Sequence, residues 1–221
     1  MENYNYIVIE GNIGSGKTTL SKRISETFQS KLILEEFSDN AFLPKFYKNQ
    51  ERYAFPLELS FLTDRFHQLK TELLDPKNNL VVSDYYFSKS LLFAEVTLPK
   101  EEYDLYKRVY DIIYTNLPKP DLYIFLKTDI QRLLRNIEKR GRSYEQRIEA
   151  EYLKNIQNIY LEYLEKQDQF PVIIIDNSDM DILNEGSDYA FILDLITSQS
   201  WENGVHNIPK LKKARTYYYN K

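Results

Sequence analysis

The segment Gly11–Thr18 could bind phosphate, because it matches the pattern G-x-x-x-x-G-K-[ST] at every fixed position. Glycines let the backbone wrap an anion, Lys17 can reach the β- and γ-phosphates, and the Thr18 hydroxyl can bind Mg²⁺. Three of the 6 glycines in the chain lie in this segment, which argues against a chance match. The residues expected to contact a nucleoside triphosphate here are Gly11, Asn12, Ile13, Gly14, Ser15, Gly16, Lys17, Thr18 and Thr19.

Two adjacent glutamates, Glu35 and Glu36, end the second predicted strand of the sequence. The carboxyl ends of parallel strands line the ligand crevice of open α/β sheets, so a carboxylate here could meet a reacting hydroxyl. It would act as a general base or as an orienting group. Adjacent glutamates after a strand are also typical of solvated loop charge, and the residues alone leave both interpretations open.

Arginines are concentrated late in the chain, where Arg135 is followed by the sequence Arg140-Gly141-Arg142. Gly141 can end the helix that carries Arg135. Guanidinium groups on such a turn suit a lid that closes on a transferring phosphoryl group and neutralises its charge. The alternative is a solvated basic face at a helix C-terminus, which the helix dipole favours. The phosphate-binding loop earlier in the chain favours the lid.

Short apolar runs alternating with amphipathic stretches predict the elements that position these residues. Near-continuous apolar runs indicate strands covered on both faces, and their alternation with helices indicates a parallel sheet in an α/β fold. The predicted strands are Tyr6–Glu10, Lys31–Glu35, Leu80–Ser83, Leu122–Leu126 and Val172–Asp176. The predicted helices are Lys17–Gln29, Pro56–Leu74, Ser88–Val96, Glu101–Asn116, Ile130–Lys139, Glu145–Lys166 and Tyr189–Ser198.

Length and composition indicate one soluble domain. A chain of 221 residues can bury a sizeable core, and we expect a domain over residues 1–198 with a surface tail over 199–221. The net charge of −4 argues against a nucleic-acid partner. Neither a signal peptide nor a membrane span is indicated, and the absence of cysteine fits a reducing compartment. A cytoplasmic location is therefore expected.

The residues after the later strands separate a small-molecule kinase from other phosphate-loop proteins. A GTPase would carry the guanine-reading pattern Asn-Lys-x-Asp, but the strand Leu122–Leu126 is followed by Lys127-Thr128-Asp129. A motor ATPase is typically larger and has an acidic pair after an apolar strand. Here the strand Leu80–Ser83 is followed by the single acid Asp84.

Taken together, the sequence from Ile7 to about Lys166 resembles the deoxyribonucleoside kinase family. The resemblance implies a five-stranded parallel sheet flanked by helices with an Arg-rich lid, ATP as donor with Mg²⁺, transfer to the 5′-hydroxyl of a deoxynucleoside, and a homodimer. Four segments carry it: Ile9–Thr18; Phe46-Tyr47 through Arg65; Ser83-Asp84 with Phe93-Ala94; and Lys139–Arg142 with Glu145-Gln146.

The resemblance also implies roles for single side chains. They are Glu36 as catalytic base, Tyr47 and Glu145 at the sugar 3′-hydroxyl, Arg65 near the base and 5′-hydroxyl, Phe93 stacked on the base, Asp84 near Mg²⁺ (with Thr18), and Arg135, Arg140 and Arg142 at the phosphates and in the lid.

Three positions depart from the family pattern. Phe37 replaces the proline that usually follows the catalytic glutamate, which leaves Glu35 as a second candidate. Tyr85 replaces an arginine, for which Lys89 or another arginine could compensate. Glu58 replaces a glutamine that reads the nucleobase edge. An ionised carboxylate only accepts hydrogen bonds, so Glu58 favours an amino-bearing base.

The sequence therefore predicts a deoxynucleoside kinase with a preference for a purine such as deoxyadenosine. Thymidine remains an alternative substrate through its ring N–H. A nucleoside monophosphate kinase of thymidylate-kinase type is the competing enzyme, although the arginine missing at Tyr85 argues against an acceptor that carries a phosphate. A nucleotide-binding regulatory protein without transfer activity is the competing non-enzyme.

Overall fold

The computed structural model describes residues 4–36, 40–75, 79–114 and 117–208. The strands are β1 (Tyr6–Gly11), β2 (Lys31–Ile33), β3 (Val81–Ser83), β4 (Leu122–Lys127), β5 (Pro171–Asp176) and β6 (Gly204–Ile208). The helices are α1 (Lys17–Phe28), α2 (Leu43–Phe46), α3 (Gln50–Leu73), α4 (Ser88–Thr97), α5 (Lys100–Tyr114), α6 (Ile130–Arg140), α7 (Ala150–Glu165) and α8 (Gly186–Thr197), with a 3₁₀ turn at Ser143–Glu145.

All the strands are parallel, in the order β2-β3-β1-β4-β5-β6. Alternate residues of the central strands enter two separate cores. Tyr6 and Val8 of β1 pack with the helices of one face, and Ile7 and Ile9 pack with those of the other. Because both faces are covered, the strands have no polar side, and the predicted α/β fold with a parallel sheet is confirmed.

The sheet has six strands among the described residues, so the prediction of five was wrong. β6 pairs in parallel with β5, with Val205 opposite Val172, inside the segment 199–221 that we expected to be a surface tail. Its sequence, Gly-Val-His-Asn-Ile, has no continuous apolar run and its residues are mostly half-exposed. A strand at the edge of a sheet is less covered by other elements than a central strand. It therefore does not need the continuous run of apolar residues from which the other strands were predicted. Phe37, Asn116 and residues 209–221 lie outside the described residues.

Helix ends follow local chemistry. α3 begins at Gln50, six residues before the predicted start at Pro56, because the side chain of Asn49 caps it by accepting a hydrogen bond from the Arg52 N–H at 3.1 Å. α6 ends at Arg140 and is capped by Gly141, which has φ of 72°. That positive φ costs glycine little, so the predicted helix end is confirmed.

The order of the strands places a crevice at the carboxyl end of β1. The chain leaves β1 on one side toward β3 and later returns to the other side at β4. Such a reversal separates the loops that follow the two neighbouring strands and opens a ligand site between them. The segments after β1, β2 and β3 therefore meet at one edge of the sheet.

Candidate active site

The loop between β1 and α1 is shaped to hold an anion. Gly14 and Gly16 have φ values of 82° and 92°, which residues with a side chain rarely adopt. At Gly14 a Cβ atom would also lie 2.9 Å from the carbonyl oxygen of Leu133. Glycine is required here for both reasons, and the loop leads directly into the N-terminus of α1, where phosphate binds well.

Asparagine side chains support this loop, and two of them, Asn136 and Asn177, lie outside the residues predicted to contact the triphosphate. Asn177, after β5, donates to the Ser15 carbonyl at 2.9 Å, and Asn136 of α6 donates to the Gly14 carbonyl at 2.8 Å. Asn12 itself donates to the Leu153 carbonyl at 2.7 Å. Isolated asparagines carry little sequence signal. The position of Asn177 just after a strand was the one available indication.

Lys17 is held in the loop ready for a phosphate. Its Nζ donates to the Asn12 carbonyl at 3.2 Å. Burial lowers the pKa of Lys17 to about 8, and the nearby Lys89 ammonium acts in the same direction. Burial disfavours the charged form of Lys17. A bound phosphate would stabilise that form, so the buried ammonium gains favourable interaction energy when an anion binds.

Thr18 and Asp84 form a pair that suits Mg²⁺. The Thr18 hydroxyl donates to Asp84 Oδ2 at 2.5 Å, and Asp84 Oδ1 accepts from the Glu35 N–H at 2.8 Å. In the described part of the chain no group of three or more acidic or histidine side chains forms a complete metal site. Mg²⁺ usually takes one or two protein ligands and fills its shell with phosphate oxygens and water, so this pair fits it.

Glu35 lines a cavity that also contains Lys17, Thr18 and Arg65, whereas Glu36 does not line it. Glu35 accepts from Arg65 Nε at 2.9 Å, from Arg65 Nη2 at 2.6 Å, and from Lys89 Nζ at 2.5 Å. The Glu36 side chain is exposed and accepts from Gln68 Nε2 at 3.2 Å. The geometry thus favours Glu35 over Glu36, because only Glu35 lines the cavity and contacts its buried cations.

The charge state of Glu35 follows from its two partners. Burial would raise the pKa of Glu35, but the Lys89 ammonium and the Arg65 guanidinium outweigh it and hold the pKa below its ordinary value. Glu35 is therefore ionised at neutral pH and offers an acceptor to a hydroxyl. Arg65 is further fixed by a hydrogen bond from Nη1 to Ser90 Oγ at 2.9 Å.

Lys89 supplies a buried positive charge near Glu35, where the arginine replaced by Tyr85 was expected to supply one. Tyr85 is fully buried and its hydroxyl donates to Gln68 Oε1 at 2.5 Å, so it does not reach into the cavity. One turn later, Lys89 is only 4% exposed and its Nζ lies on Glu35. The compensation by Lys89 that the sequence suggested agrees with this geometry.

The other end of the cavity is lined by aromatic and acidic side chains. Phe93 of α4 and Tyr47 contribute half-buried rings, and Glu58 of α3 is 2% exposed. Burial raises the pKa of Glu58 to about 7, although the Arg65 charge opposes this shift. The cavity is lined by Ile13, Lys17, Thr18, Glu35, Leu43, Phe46, Tyr47, Leu57, Glu58, Phe61, Arg65, Asp84, Lys89, Phe93, Arg140, Arg142, Glu145 and Tyr152.

Arg140 and Arg142 both pair with Glu145 in the wall of the cavity. Arg140 Nη2 donates to Glu145 Oε2, and Arg142 Nη1 donates to Glu145 Oε1 at 3.1 Å. Both arginines keep about a third of their side-chain surface exposed, while Glu145 is buried. Arg135 lies on the exposed face of α6 and Thr19 lies in α1, and neither lines the cavity.

The buried Glu58 carboxyl predicts a stability that depends on pH. Its folded pKa of about 7 lies above the ordinary 4.5, so the stability present below pH 4.5 is lost as pH rises through 7. At about 1.4 kcal/mol per pKa unit, the loss is about 3 kcal/mol. Urea unfolding at pH 5 and pH 8 should show Glu58→Gln gaining stability over the wild type at the higher pH. Equal pH slopes for the two proteins would contradict this prediction, and Glu36→Gln, at an exposed site, is the control.

The fold and the cavity together define a P-loop phosphotransferase, with a triphosphate loop at one end and a pocket for a small acceptor at the other. Comparison with known proteins narrows the class. The family model described as deoxynucleoside kinase matches residues 7–199. The chain belongs to this family and is a deoxynucleoside kinase, which confirms the resemblance seen in the sequence. A nucleoside monophosphate kinase is not supported by this match.

Individual relatives agree with the family assignment. The chain is 37% identical over 193 residues to the deoxyguanosine kinase of Bacillus subtilis, covering 85% of this chain and 93% of that one. It is 29% identical over 204 residues to the deoxyadenosine/deoxycytidine kinase of the same organism, covering 89% of this chain and 94% of the relative. A structure of deoxyadenosine kinase from M. mycoides with bound dCTP superposes with a TM-score of 0.77 at 25% identity, covering 88% of this chain and 100% of that one.

No helix among residues 4–36, 40–75, 79–114 and 117–208 combines the length and the apolar character that crossing a membrane requires.

Proposed function

We propose that the chain transfers the γ-phosphoryl group of ATP to the 5′-hydroxyl of a deoxynucleoside, with a purine deoxynucleoside preferred. The observation that carries this proposal is one continuous cavity. It has Lys17 and Thr18 at one end, Phe93 and Glu58 at the other, and the Glu35 carboxylate between them. The similarity to kinases named for deoxyguanosine and deoxyadenosine supports the purine preference.

In the proposed reaction the donor phosphates lie in the loop Gly11–Thr18, and Mg²⁺ held at Thr18 and Asp84 would neutralise charge on the β- and γ-phosphates. Lys17 leaves the Asn12 carbonyl and binds the phosphate oxygens. Phosphoryl transfer needs positioning and charge stabilisation more than covalent help from the protein. Preorganised cations at the loop therefore supply the main part of the catalysis.

Glu35 is proposed as the group that orients the 5′-hydroxyl and accepts its proton as the new P–O bond forms. Its low pKa makes it a weak base, which suits a reaction in which the hydroxyl loses its proton late. Arg65 and Lys89 fix the carboxylate from two directions. Because both cations are already paired with Glu35, the acceptor end favours a neutral hydroxyl over a phosphate.

Arg140 and Arg142 are proposed to act as a lid. Each is paired with the buried Glu145 and keeps about a third of its own side chain exposed, so each can turn away when another group takes its place at Glu145. In the proposed complex the guanidinium groups turn to the transferring phosphoryl, and Glu145 is released to the sugar 3′-hydroxyl beside Tyr47. Arg135 and Thr19, which lie outside the cavity, would reach the nucleotide only after such a movement.

The direct test is an ADP-release assay with ATP and Mg²⁺, in which each deoxynucleoside and each deoxynucleoside monophosphate is offered separately. We expect turnover with deoxynucleosides and the highest kcat/KM with a purine. Turnover confined to monophosphates would overturn the proposal. Nucleotide binding without any turnover would instead assign the chain a regulatory role.

A further inference from the structure

The carboxyl group of Glu58 has an unused hydrogen-bonding atom in the cavity. Oε1 accepts from the Thr97 hydroxyl at 3.1 Å, but Oε2 is buried without a partner among the described residues. A buried carboxylate oxygen without a donor costs free energy and is uncommon in folded proteins. Glu58 lines the same cavity as Phe93. Its position and its unused acceptor both point to a ligand that brings donors.

Glu58 Oε1, which accepts from Thr97, can also become available to a ligand. The Thr97 hydroxyl lies 2.9 Å from the Phe93 carbonyl as well as 3.1 Å from Glu58 Oε1. A hydroxyl carries a single hydrogen, so it can serve only one of these acceptors fully at a time. When Thr97 donates to Phe93, both oxygens of the Glu58 carboxylate become available side by side.

Two adjacent acceptors match one nucleobase better than the others. Guanine presents a ring N–H next to an amino group, whereas adenine and cytosine each present an amino group next to an acceptor nitrogen, and thymine presents a ring N–H between carbonyl groups. We propose that the Glu58 carboxylate accepts hydrogen bonds from the ring N–H and the amino group of guanine, so that this kinase prefers deoxyguanosine. This inference rests on the proposed function and names the substrate of the same site.

The surroundings of Glu58 make this preference sensitive to pH. The charged groups that face it are Arg65 on its own helix, Glu35 after β2 and Lys89 on α4, and the phenols of Tyr47, Tyr106 and Tyr152 lie close by. Burial raises the pKa of Glu58 to about 7. The neutral carboxyl has one O–H donor and one carbonyl acceptor, which is the pattern of glutamine.

Protonation of the Glu58 carboxylate should therefore change which purine the enzyme prefers. Below pH 7 the neutral carboxyl suits adenine, and above pH 7 the carboxylate suits guanine. With a pKa of about 7, the ionised fraction rises from about one tenth at pH 6 to about nine tenths at pH 8. The ratio of kcat/KM for deoxyguanosine to that for deoxyadenosine should rise at least about tenfold over this interval.

The experiment measures kcat/KM for deoxyguanosine, deoxyinosine and deoxyadenosine at pH 6 and pH 8, in the wild type and in Glu58→Gln. Deoxyinosine lacks the amino group, so the wild type should use it about tenfold less well than deoxyguanosine at pH 8. Glu58→Gln should favour deoxyadenosine, and its ratio of the two purines should not change with pH. Comparing ratios at one pH cancels the titration of other groups such as Lys17.

The possible failures can be told apart. If no deoxynucleoside is phosphorylated by the wild type, the proposed function itself is wrong. If deoxynucleosides are phosphorylated but the purine ratio is the same in both proteins at both pH values, the role of Glu58 is overturned and the kinase assignment stands. A purine ratio that changes with pH equally in Glu58→Gln would assign the pH effect to another group and would also overturn this inference.

Discussion

Replacing Glu35 by glutamine is expected to lower kcat by about 10²- to 10⁴-fold, the range that a positioned acid–base group contributes. The amide keeps the size of the side chain but accepts the hydroxyl proton poorly. It also leaves Lys89 and Arg65 without their common anion. Steady-state kinetics with a saturating deoxynucleoside measure the effect, and circular dichroism checks that the variant is folded.

Two further variants separate catalysis by Glu35 from its structural role. Glu35→Asp keeps the charge next to Lys89 and Arg65 but shortens the reach to the hydroxyl, so it should remain stable and lose much of kcat. Glu36→Gln changes an exposed neighbour and should leave kcat within about twofold, as for most surface substitutions. A large loss in Glu36→Gln together with near-normal turnover in Glu35→Gln would return the role to Glu36.

Lys17→Ala is the second substitution with a large expected effect. It should lower kcat by about 10²- to 10³-fold, the usual result of removing one preorganised charge that stabilises the transition state. The loop should keep its shape, because Asn136 and Asn177 still hold the Gly14 and Ser15 carbonyls. Kinetics over a range of ATP concentrations measure kcat and KM separately.

The control for Lys17→Ala lies on the same helix. Lys22→Ala removes an exposed lysine one and a half turns further along α1 and should leave kcat unchanged. If both variants lose turnover equally, the effect belongs to the stability of α1 and the assignment of Lys17 to the phosphates fails. A rise in the KM for ATP without any fall in kcat would limit Lys17 to binding the donor.

Much of the fold could be predicted because the buried strands carry a clear signal. β1, β4 and β5 are apolar on both faces, and the predicted runs match their bounds to within one residue. β6 was missed because an edge strand that begins with glycine has no such run. The start of α3 was misplaced at Pro56, since proline is usually found in the first turn of a helix and here lies within one.

Site residues could be predicted where a fixed spacing in the sequence defines the chemistry. They could be predicted less well where the direction of a side chain decides whether it faces the cavity. The loop Gly11–Thr18 was recognised because its pattern is long and fixed. Glu35 and Glu36 could not be separated, because adjacent residues after a strand point in different directions and sequence does not fix which side faces the crevice. Asn136 and Asn177 were missed because they act through tertiary contacts across more than 100 residues.

The strand β6 also bears on the order in which the protein is made. On its side of the sheet the strands are added in chain order, β1, β4, β5 and then β6. Until residues 204–208 leave the ribosome, β5 presents an unpaired and strongly apolar edge, Pro-Val-Ile-Ile-Ile-Asp. An open edge of this kind can pair with another nascent chain. Once residues 204–208 are released, β6, the last strand among the described residues, pairs with β5 and covers this edge.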